Sequence, residues 1–203
     1  ACLAADAKIG AQDPVHPNDH VNMGQSSNDV IPTSIHLAAL LSIKEDLIPS
    51  LQFLAYELNK KSVEFWPIVK TGRTHLQDAT PVRLGQEFKG FAGQAEYSVQ
   101  RLQRAQGALA EVALGGTAVG TGVNTHEEFS ERACKTLSEV SGVLIKETAN
   151  HFQAQASLDG LVEASGELKT IAISLHKIAN DIRFIASGPR AGPDVAAPGY
   201  GRH

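Results

Sequence analysis

The chain has 203 residues, a formal net charge of −4, 42% hydrophobic residues and 20% charged residues. This composition supports a packed core and argues against an intrinsically disordered chain, and the absence of a basic stripe argues against binding nucleic acid through its phosphates. The longest unbroken apolar run, from Leu37 to Leu41, is far shorter than the roughly 20 residues that cross a bilayer. We therefore expect a folded protein with neither a membrane span nor a nucleic-acid partner.

The first helical pattern follows a polar loop. Leucines recur at helical spacing from Leu37 to Leu58, which predicts one long helix over about 29–61. Its start is marked by the side-chain oxygens of residues 26–29, which can cap a helix, and by Pro32 in the first turn. Pro49 should bend this helix.

Three further helices are predicted downstream, over about 84–112, 127–141 and 157–187. The first of them should stop at the glycine pair 115–116, and the last carries a seam with small residues such as Ala172 and Ala179. Helices near 30 residues are roughly 45 Å long, too long to cover one another in a compact monomer of this size. No segment alternates with a period of two. The predicted fold is therefore all-α, a long-helix bundle whose helices pack across subunits.

Cys2 and Cys134 are the only cysteines, and neither has the spacing of a metal site or of a disulfide framework. A reducing compartment is the default, so we expect the cytoplasm, or the mitochondrion if the source is a eukaryote. The chain begins with Ala1, and no basic and apolar leader precedes the first motif. We expect that the start was removed or that the chain is a fragment.

The first polar loop, over residues 15–22, holds two histidines, an aspartate and two asparagines. A metal site is one interpretation, because His16 and His20 are four residues apart, but Pro17 disfavours helical geometry at His16. An ordinary polar loop and an anion or substrate site are the alternatives. The residues leave all three open, with the substrate site favoured.

Two more polar loops follow. Residues 24–29 lead into the first helix, where they can act as caps only, or can also bind a carboxylate through free N–H groups at the helix start. Residues 70–81 place His75 near Arg73 and Asp78. A lone histidine is more often structural, but an imidazole that titrates near neutral pH can also take and give a proton.

A glycine-rich run over residues 115–122 could be mistaken for a phosphate cradle. It follows a predicted helix rather than a strand and lacks the Gly-Lys-Ser/Thr ending of a nucleotide loop. A nucleotide site is therefore disfavoured.

Taken together, the loops resemble class II fumarases of the fumarase/aspartase superfamily, over about 14–192. The motifs are V-H-P-N-D-H-V-N at 15–22, Q-S-S-N-D-V-I-P-T at 25–33, G-R-T-H-L-Q-D-A-T-P at 72–81, L-G-G-T-A-V-G-T-G-V-N-T-H at 114–126 and K-I-A-N-D-I-R at 177–183. The aspartase branch would show Q-S-T-N-D and G-R-T-Q, so Ser27 and His75 favour fumarase.

The resemblance implies a homotetramer whose long helices form one bundle, active sites built from several subunits, and reversible hydration of fumarate to malate. We expect a small dicarboxylate substrate, no cofactor and no metal. Substrate-carboxylate binding is carried over onto Ser26, Ser27, Asn28 and Thr74. His75 would act in proton transfer, and a second, peripheral dicarboxylate site would fall on His16, Asn18 and Asp19.

Two departures from the family pattern concern activity. The family loop G-S-S-x-M-P-x-K-x-N, which carries the serine base, and a G-S-G-T-type loop are both absent from the 203 residues. We therefore expect residues 1–28 to be the end of an N-terminal region, 29–192 an incomplete central helical domain and 193–203 an unmatched tail. Alone, this chain should be inactive. The alternatives to a fumarase are an aspartate ammonia-lyase and an inactive or structural relative, as lens crystallins are in this superfamily.

Overall fold

The computed structural model describes residues 6–188, which fall into two compact units. The first unit comprises the described residues up to Ser42 together with Ala105–Ala164. The second comprises Ile43–Arg104 together with the described residues from Ser165 onward. The predicted tail, 193–203, lies outside the described residues, and the predicted domain division remains a prediction.

Helices dominate the described part of the chain, which confirms the expected helical class. They are α1 (Ser27–Ser42), α2 (Ile48–Glu64), α3 (Leu84–Leu109), α4 (Phe129–Ser141), α5 (His151–Ala156) and α6 (Asp159–Ile185). Short π-helical segments cover Pro17–Val21 and Ile43–Leu47. No helix within residues 6–188 has the length and apolar character needed to cross a membrane.

The predicted first helix is interrupted rather than uniform. Helical conformation runs from Ser27 to Glu64, but the π-helical segment Ile43–Leu47 separates α1 from α2. Pro49 explains the change, because it has no N–H to donate and its ring crowds the carbonyl four residues back, which a wider turn accommodates.

Residues 69–83 form a β-hairpin that was not predicted from the sequence. The third polar loop, expected to be irregular, forms strands β1 (Val69–Thr74) and β2 (Gln77–Arg83), paired antiparallel. Both strands are mostly exposed, so they lack the alternating apolar positions that identify a half-buried strand. The ladder shifts register between Thr71 and Arg73, where a Cβ on Gly72 would lie 2.5 Å from the Thr80 carbonyl oxygen. Gly72 therefore permits a close backbone approach that no other residue allows.

A second short ladder ends α3 earlier than predicted. The helix stops at Leu109 rather than at about Val112, because β3 (Glu111–Val112) pairs in parallel with β4 (Lys146–Glu147). The Lys146 N–H donates to the Ala110 carbonyl at 2.8 Å. The glycine-rich run therefore follows a two-residue strand, and the expectation that it directly follows a helix was wrong.

Each unit has its own apolar core. In the first unit, fully or almost fully buried residues include Leu40, Leu109, Val112 and Cys134. In the second unit, one cluster joins α2, α3 and α6, with Leu84, Ala92 and Ala95 fully buried and Phe88 in edge-to-face contact with Phe65 and Phe91.

The predicted extent of α6 is confirmed, and its buried residues show which face packs within the chain. Ala164, Ile171 and Ile178, spaced seven residues apart, are buried, whereas Ala172 and Ala179 of the predicted seam are exposed in the single chain. At Ala172 and Ala179 the seam thus lies outside the face that packs within the chain. Packing of the seam across subunits remains a prediction.

Candidate active site

The loop before α1 caps the start of the helix. Ser26 Oγ accepts a hydrogen bond from the Asn28 N–H at 3.2 Å, and the Asp29 carboxylate accepts one from the Ser26 N–H at 2.9 Å. The second bond is half of a capping box, in which the third helical residue binds the N–H of the cap residue. The Ser26 hydroxyl binds the second helical residue instead, and the Asp29 N–H donates to the Ser26 carbonyl at 3.3 Å. The S-x-x-D pattern of residues 26–29 carried that signal in the sequence.

Asp29 also holds the glycine-rich loop. Its second carboxylate oxygen accepts hydrogen bonds from the N–H groups of Gly115 at 3.1 Å and Thr117 at 2.9 Å. The Asp29 residue is fully buried, at 0% exposed, so its charge needs such bonds to offset the loss of water. The sequence predicts Asp29 only as a cap; its bonds to the glycine-rich loop have no local signal, because the partners lie 86 and 88 residues away.

The glycine-rich loop is held in a strained conformation. Gly115 has a φ of +97° and a Cβ there would lie 2.5 Å from the Ser130 side chain, so only glycine fits. Thr117 has a φ of +56°, a rare region for a β-branched residue that costs on the order of 1–3 kcal/mol. The Thr117 carbonyl accepts a hydrogen bond from Gln155 at 2.7 Å, while its own hydroxyl oxygen, which is buried, has no partner.

The predicted substrate-binding residues of the first unit lie together on this scaffold. Asn28 donates its side-chain amide to the Ala118 carbonyl at 2.7 Å, which joins the cap loop to the glycine-rich loop. Ser27 and Asn28 are exposed and Ser26 is partly exposed. The surface therefore presents hydroxyl and amide donors at the N-terminus of α1, where the helix dipole also favours an anion.

Thr74 and His75 belong to the second unit, at the tip of the hairpin. Thr74 pairs with Gln77, so His75 and Leu76 form a two-residue turn, and their φ values are +51° and +62°. Two positive φ values are typical of a type I′ turn. His75 is exposed, and Arg73 lies opposite Asp78 across the ladder at 3.8 Å.

A partly buried ion pair ties the base of this hairpin to α3. Lys70 of β1 contacts Glu87 at 2.9 Å, and the Lys70 side chain is only 15% exposed. The Leu84 N–H donates to the Ile68 carbonyl at 3.0 Å. The base of the hairpin is therefore fixed while its tip presents Thr74 and His75 to solvent.

The loop of His16 satisfies much of its own backbone. His16 Nδ1 accepts from the Asp19 N–H at 3.1 Å, and the His16 N–H donates to His20 Nδ1 at 2.8 Å. His16 Nδ1 also lies 3.2 Å from the Asp19 carboxylate. That contact requires a hydrogen on Nδ1, whereas the backbone bond requires none, so the two belong to different tautomers. Asn18 and Asp19 are exposed.

The metal interpretation of this loop gains no support from the arrangement. Within residues 6–188, no group of three or more His, Cys, Asp or Glu side chains is placed to hold a metal ion. Burial raises the pKa of Cys134 to about 11, so its thiol stays protonated and unreactive at neutral pH.

Comparison with known proteins identifies the class. Residues 3–195 match the model of the lyase family, and the chain belongs to that family. It is 54% identical over 93% of its length to fumarate hydratase class II of Neisseria meningitidis, and 52% identical over 91% to the mitochondrial fumarate hydratase of Rhizopus oryzae. The chain spans about 40% of the length of such curated relatives, 41% and 37% in these two.

Solved structures agree with the fold. The class II fumarase of Schistosoma mansoni aligns with 88% of this chain and 40% of its own, at a TM-score of 0.85 and 37% identity. The fumarate lyase:delta crystallin of Brucella melitensis, solved with cobalt bound, aligns with 94% of this chain and 41% of its own, at a TM-score of 0.88 and 42% identity. The resemblance to class II fumarases stated from the motifs is thereby confirmed.

Proposed function

We propose that the full-length protein containing this chain catalyses the reversible hydration of fumarate to malate. The observation that carries the proposal is the hydrogen-bonded loop at the start of α1, which presents Ser26, Ser27 and Asn28 as donors. The nearest acidic group, Asp29, has its carboxylate fully buried and bound by three N–H groups. A substrate carboxylate therefore meets donors rather than an exposed anion. Relatives more than 50% identical to this chain are named fumarate hydratases.

The chemistry explains why neutral donors are needed. Removal of a proton from the carbon next to a carboxylate places additional negative charge on the carboxylate oxygens, so catalysis depends on donors fixed where that charge develops. Serine and asparagine supply such donors without adding a competing anion, and Thr74 would supply another. His75, exposed at the hairpin tip, would transfer a proton to or from the water or hydroxyl group, which otherwise leaves poorly.

Several finer assignments belong to the same proposal. His16, Asn18 and Asp19 would form a peripheral dicarboxylate site, and the full-length protein would assemble as a homotetramer. It would work in the cytoplasm, or in the mitochondrion of a eukaryote, as some relatives are named mitochondrial. The 203-residue chain alone would be inactive, because the serine loop expected to supply the base is absent from its sequence.

The test is a comparison of nucleophiles with the full-length protein. Fumarate is offered with water alone and with added ammonium, and malate and aspartate are measured separately. The proposal predicts malate in both mixtures and no aspartate. Aspartate formation would instead favour the ammonia-lyase alternative, and a folded protein that forms neither product would favour the structural one.

A further inference from the structure

Asp29 connects two segments that both contribute to the candidate site. Its carboxylate binds the N–H groups of Ser26, Gly115 and Thr117 at 2.9–3.1 Å, and no part of the residue is exposed. It lies directly after the exposed donors, with its own charge turned inward. Asp29 therefore does not need to touch a substrate to influence how one is bound.

Hydrogen bonds connect Asp29 to two of the predicted carboxylate-binding residues, Ser26 and Asn28. On one side, Asp29 fixes the Ser26 backbone, and Ser26 Oγ accepts from the Asn28 N–H, which leaves the hydroxyl hydrogen to donate outward. On the other side, Asp29 fixes Thr117, and the next residue, Ala118, accepts from the Asn28 side chain at 2.7 Å. The orientation of the Asn28 amide is thus set from the glycine-rich loop.

The glycine-rich loop needs to be held, because its conformation is unfavourable by itself. Thr117 adopts a φ of +56° although it is β-branched, and such strain persists only where the surroundings over-determine it. The surroundings here are the Asp29 carboxylate at the Thr117 N–H and the Gln155 amide at the Thr117 carbonyl, 2.7 Å away. Loss of either partner should let Ala118 move away from Asn28.

We propose that Asp29 is a positioning residue, whose buried carboxylate locks the glycine-rich loop against the α1 cap and so sets the geometry of the Ser26 and Asn28 donors. This rests on the proposed function, because it assigns those donors to a substrate carboxylate. The strained loop is then the scaffold of the donor site rather than a connector.

The first test is Asp29→Asn in the full-length protein. An amide keeps one acceptor oxygen but turns an NH₂ group toward an N–H, whether it faces Ser26 or the pair Gly115 and Thr117. We expect kcat/KM for fumarate to fall by roughly 10- to 100-fold, with a raised KM, since a displacement near 1 Å costs about that much. Thr33→Val is the matched control, because it removes a buried hydroxyl that bonds only the Asp29 carbonyl. It should leave kcat and KM unchanged.

A double-mutant cycle separates positioning from general destabilisation. If Asp29 acts through Asn28, then Asp29→Asn should lower kcat/KM for fumarate by a much smaller factor in an Asn28→Ala background than in the unmodified protein. Fully additive effects would overturn the proposal. If Asp29→Asn does not accumulate in folded form, Gln155→Met releases Thr117 from the other side and should raise KM in the same direction. An unchanged KM in that variant would also overturn it.

Hydrogen exchange keeps this inference distinct from the proposed function. If the unmodified protein hydrates no fumarate, the proposed function fails. The attachment of the glycine-rich loop to Asp29 can still be examined by the hydrogen exchange of the amides at Ser26, Gly115 and Thr117. Attachment through Asp29 predicts faster exchange at all three amides in Asp29→Asn and unchanged exchange in Thr33→Val. Equal protection in the two variants would show that Asp29 does not hold the loop.

Discussion

Replacement of His75 by asparagine should separate activity from stability, because activity should fall while stability stays the same or rises slightly. His75 occupies the first position of a two-residue turn at a φ of +51°, and Leu76 follows at +62°. A residue with a Cβ costs about 1–2 kcal/mol in this region, but asparagine tolerates it because its short side chain bonds locally. His75→Asn should therefore leave the hairpin as stable as before, or stabilise it by up to about 1 kcal/mol.

The expected loss of activity is much larger. A positioned general acid or base contributes roughly 10²- to 10⁴-fold, which corresponds to about 3–5 kcal/mol of activation free energy. A gain of 1 kcal/mol in stability raises the melting temperature by only about 2–4 °C in a chain of 150–250 residues, and by less in a longer protein. In the full-length protein, turnover should thus collapse while the melting temperature stays level or rises slightly.

The assay is the initial rate of fumarate loss, followed by its ultraviolet absorbance, beside a thermal melt of the same preparation. Leu76→Asn is the matched control: it changes the neighbouring turn residue, whose side chain is 78% exposed, and should leave turnover intact. Near-normal turnover of His75→Asn would refute the catalytic role. A melting temperature that falls together with activity would return His75 to a structural role.

Four further predictions follow from the contacts. Gly72→Ala should disrupt the hairpin, measured as lost amide protection across the β1–β2 ladder, because the new Cβ would lie 2.5 Å from the Thr80 carbonyl; intact protection would contradict the close approach. Ala172→Glu should shift the tetramer proposed for the full-length protein to smaller or aggregated species in light scattering, because an unpaired buried carboxylate is costly, and an unchanged assembly would refute the seam. A hydrogen bond from Thr148 lowers the pKa of Glu111, so Glu111 should stabilise the fold above its unfolded-state pKa and lose that contribution as the pH falls through its folded-state pKa. Thr148→Val should reduce this loss of unfolding free energy at acid pH, as measured by denaturation curves, and an identical pH dependence would count against the bond. The 203-residue chain alone should show no fumarate loss above the uncatalysed rate, and turnover would show that the missing serine loop is dispensable.

Periodicity predicted the helices whose own sequence carries an apolar stripe. The extents of α4 and α6 follow from apolar residues at helical spacing, because each buries one stripe, such as Ala164, Ile171 and Ile178 in α6. The hairpin was missed because β1 and β2 are largely exposed and polar, so no apolar alternation marks them. The end of α3 was misplaced because β3 pairs with a segment 35 residues away, which no local pattern records.

The candidate site, too, could be predicted only in part from the sequence. Ser26, Ser27 and Asn28 could be found from their motif and from their place before a helix. The role of Asp29 could not, because it depends on N–H groups that are brought to it from the glycine-rich loop by the fold. The positive φ of Thr117 was equally hidden, since a β-branched residue does not by itself suggest a left-handed conformation.

Proton NMR of fumarate incubated in D₂O with the full-length protein tests the proposed hydration of fumarate to malate directly. Addition of water places one solvent-derived hydrogen on carbon, so the account predicts loss of the fumarate vinyl signal and accumulation of malate that carries a single carbon-bound deuterium. His75→Asn should form the same product roughly 10²- to 10⁴-fold more slowly. A folded protein that leaves the vinyl signal unchanged, or that forms aspartate when ammonium is present, would contradict the account.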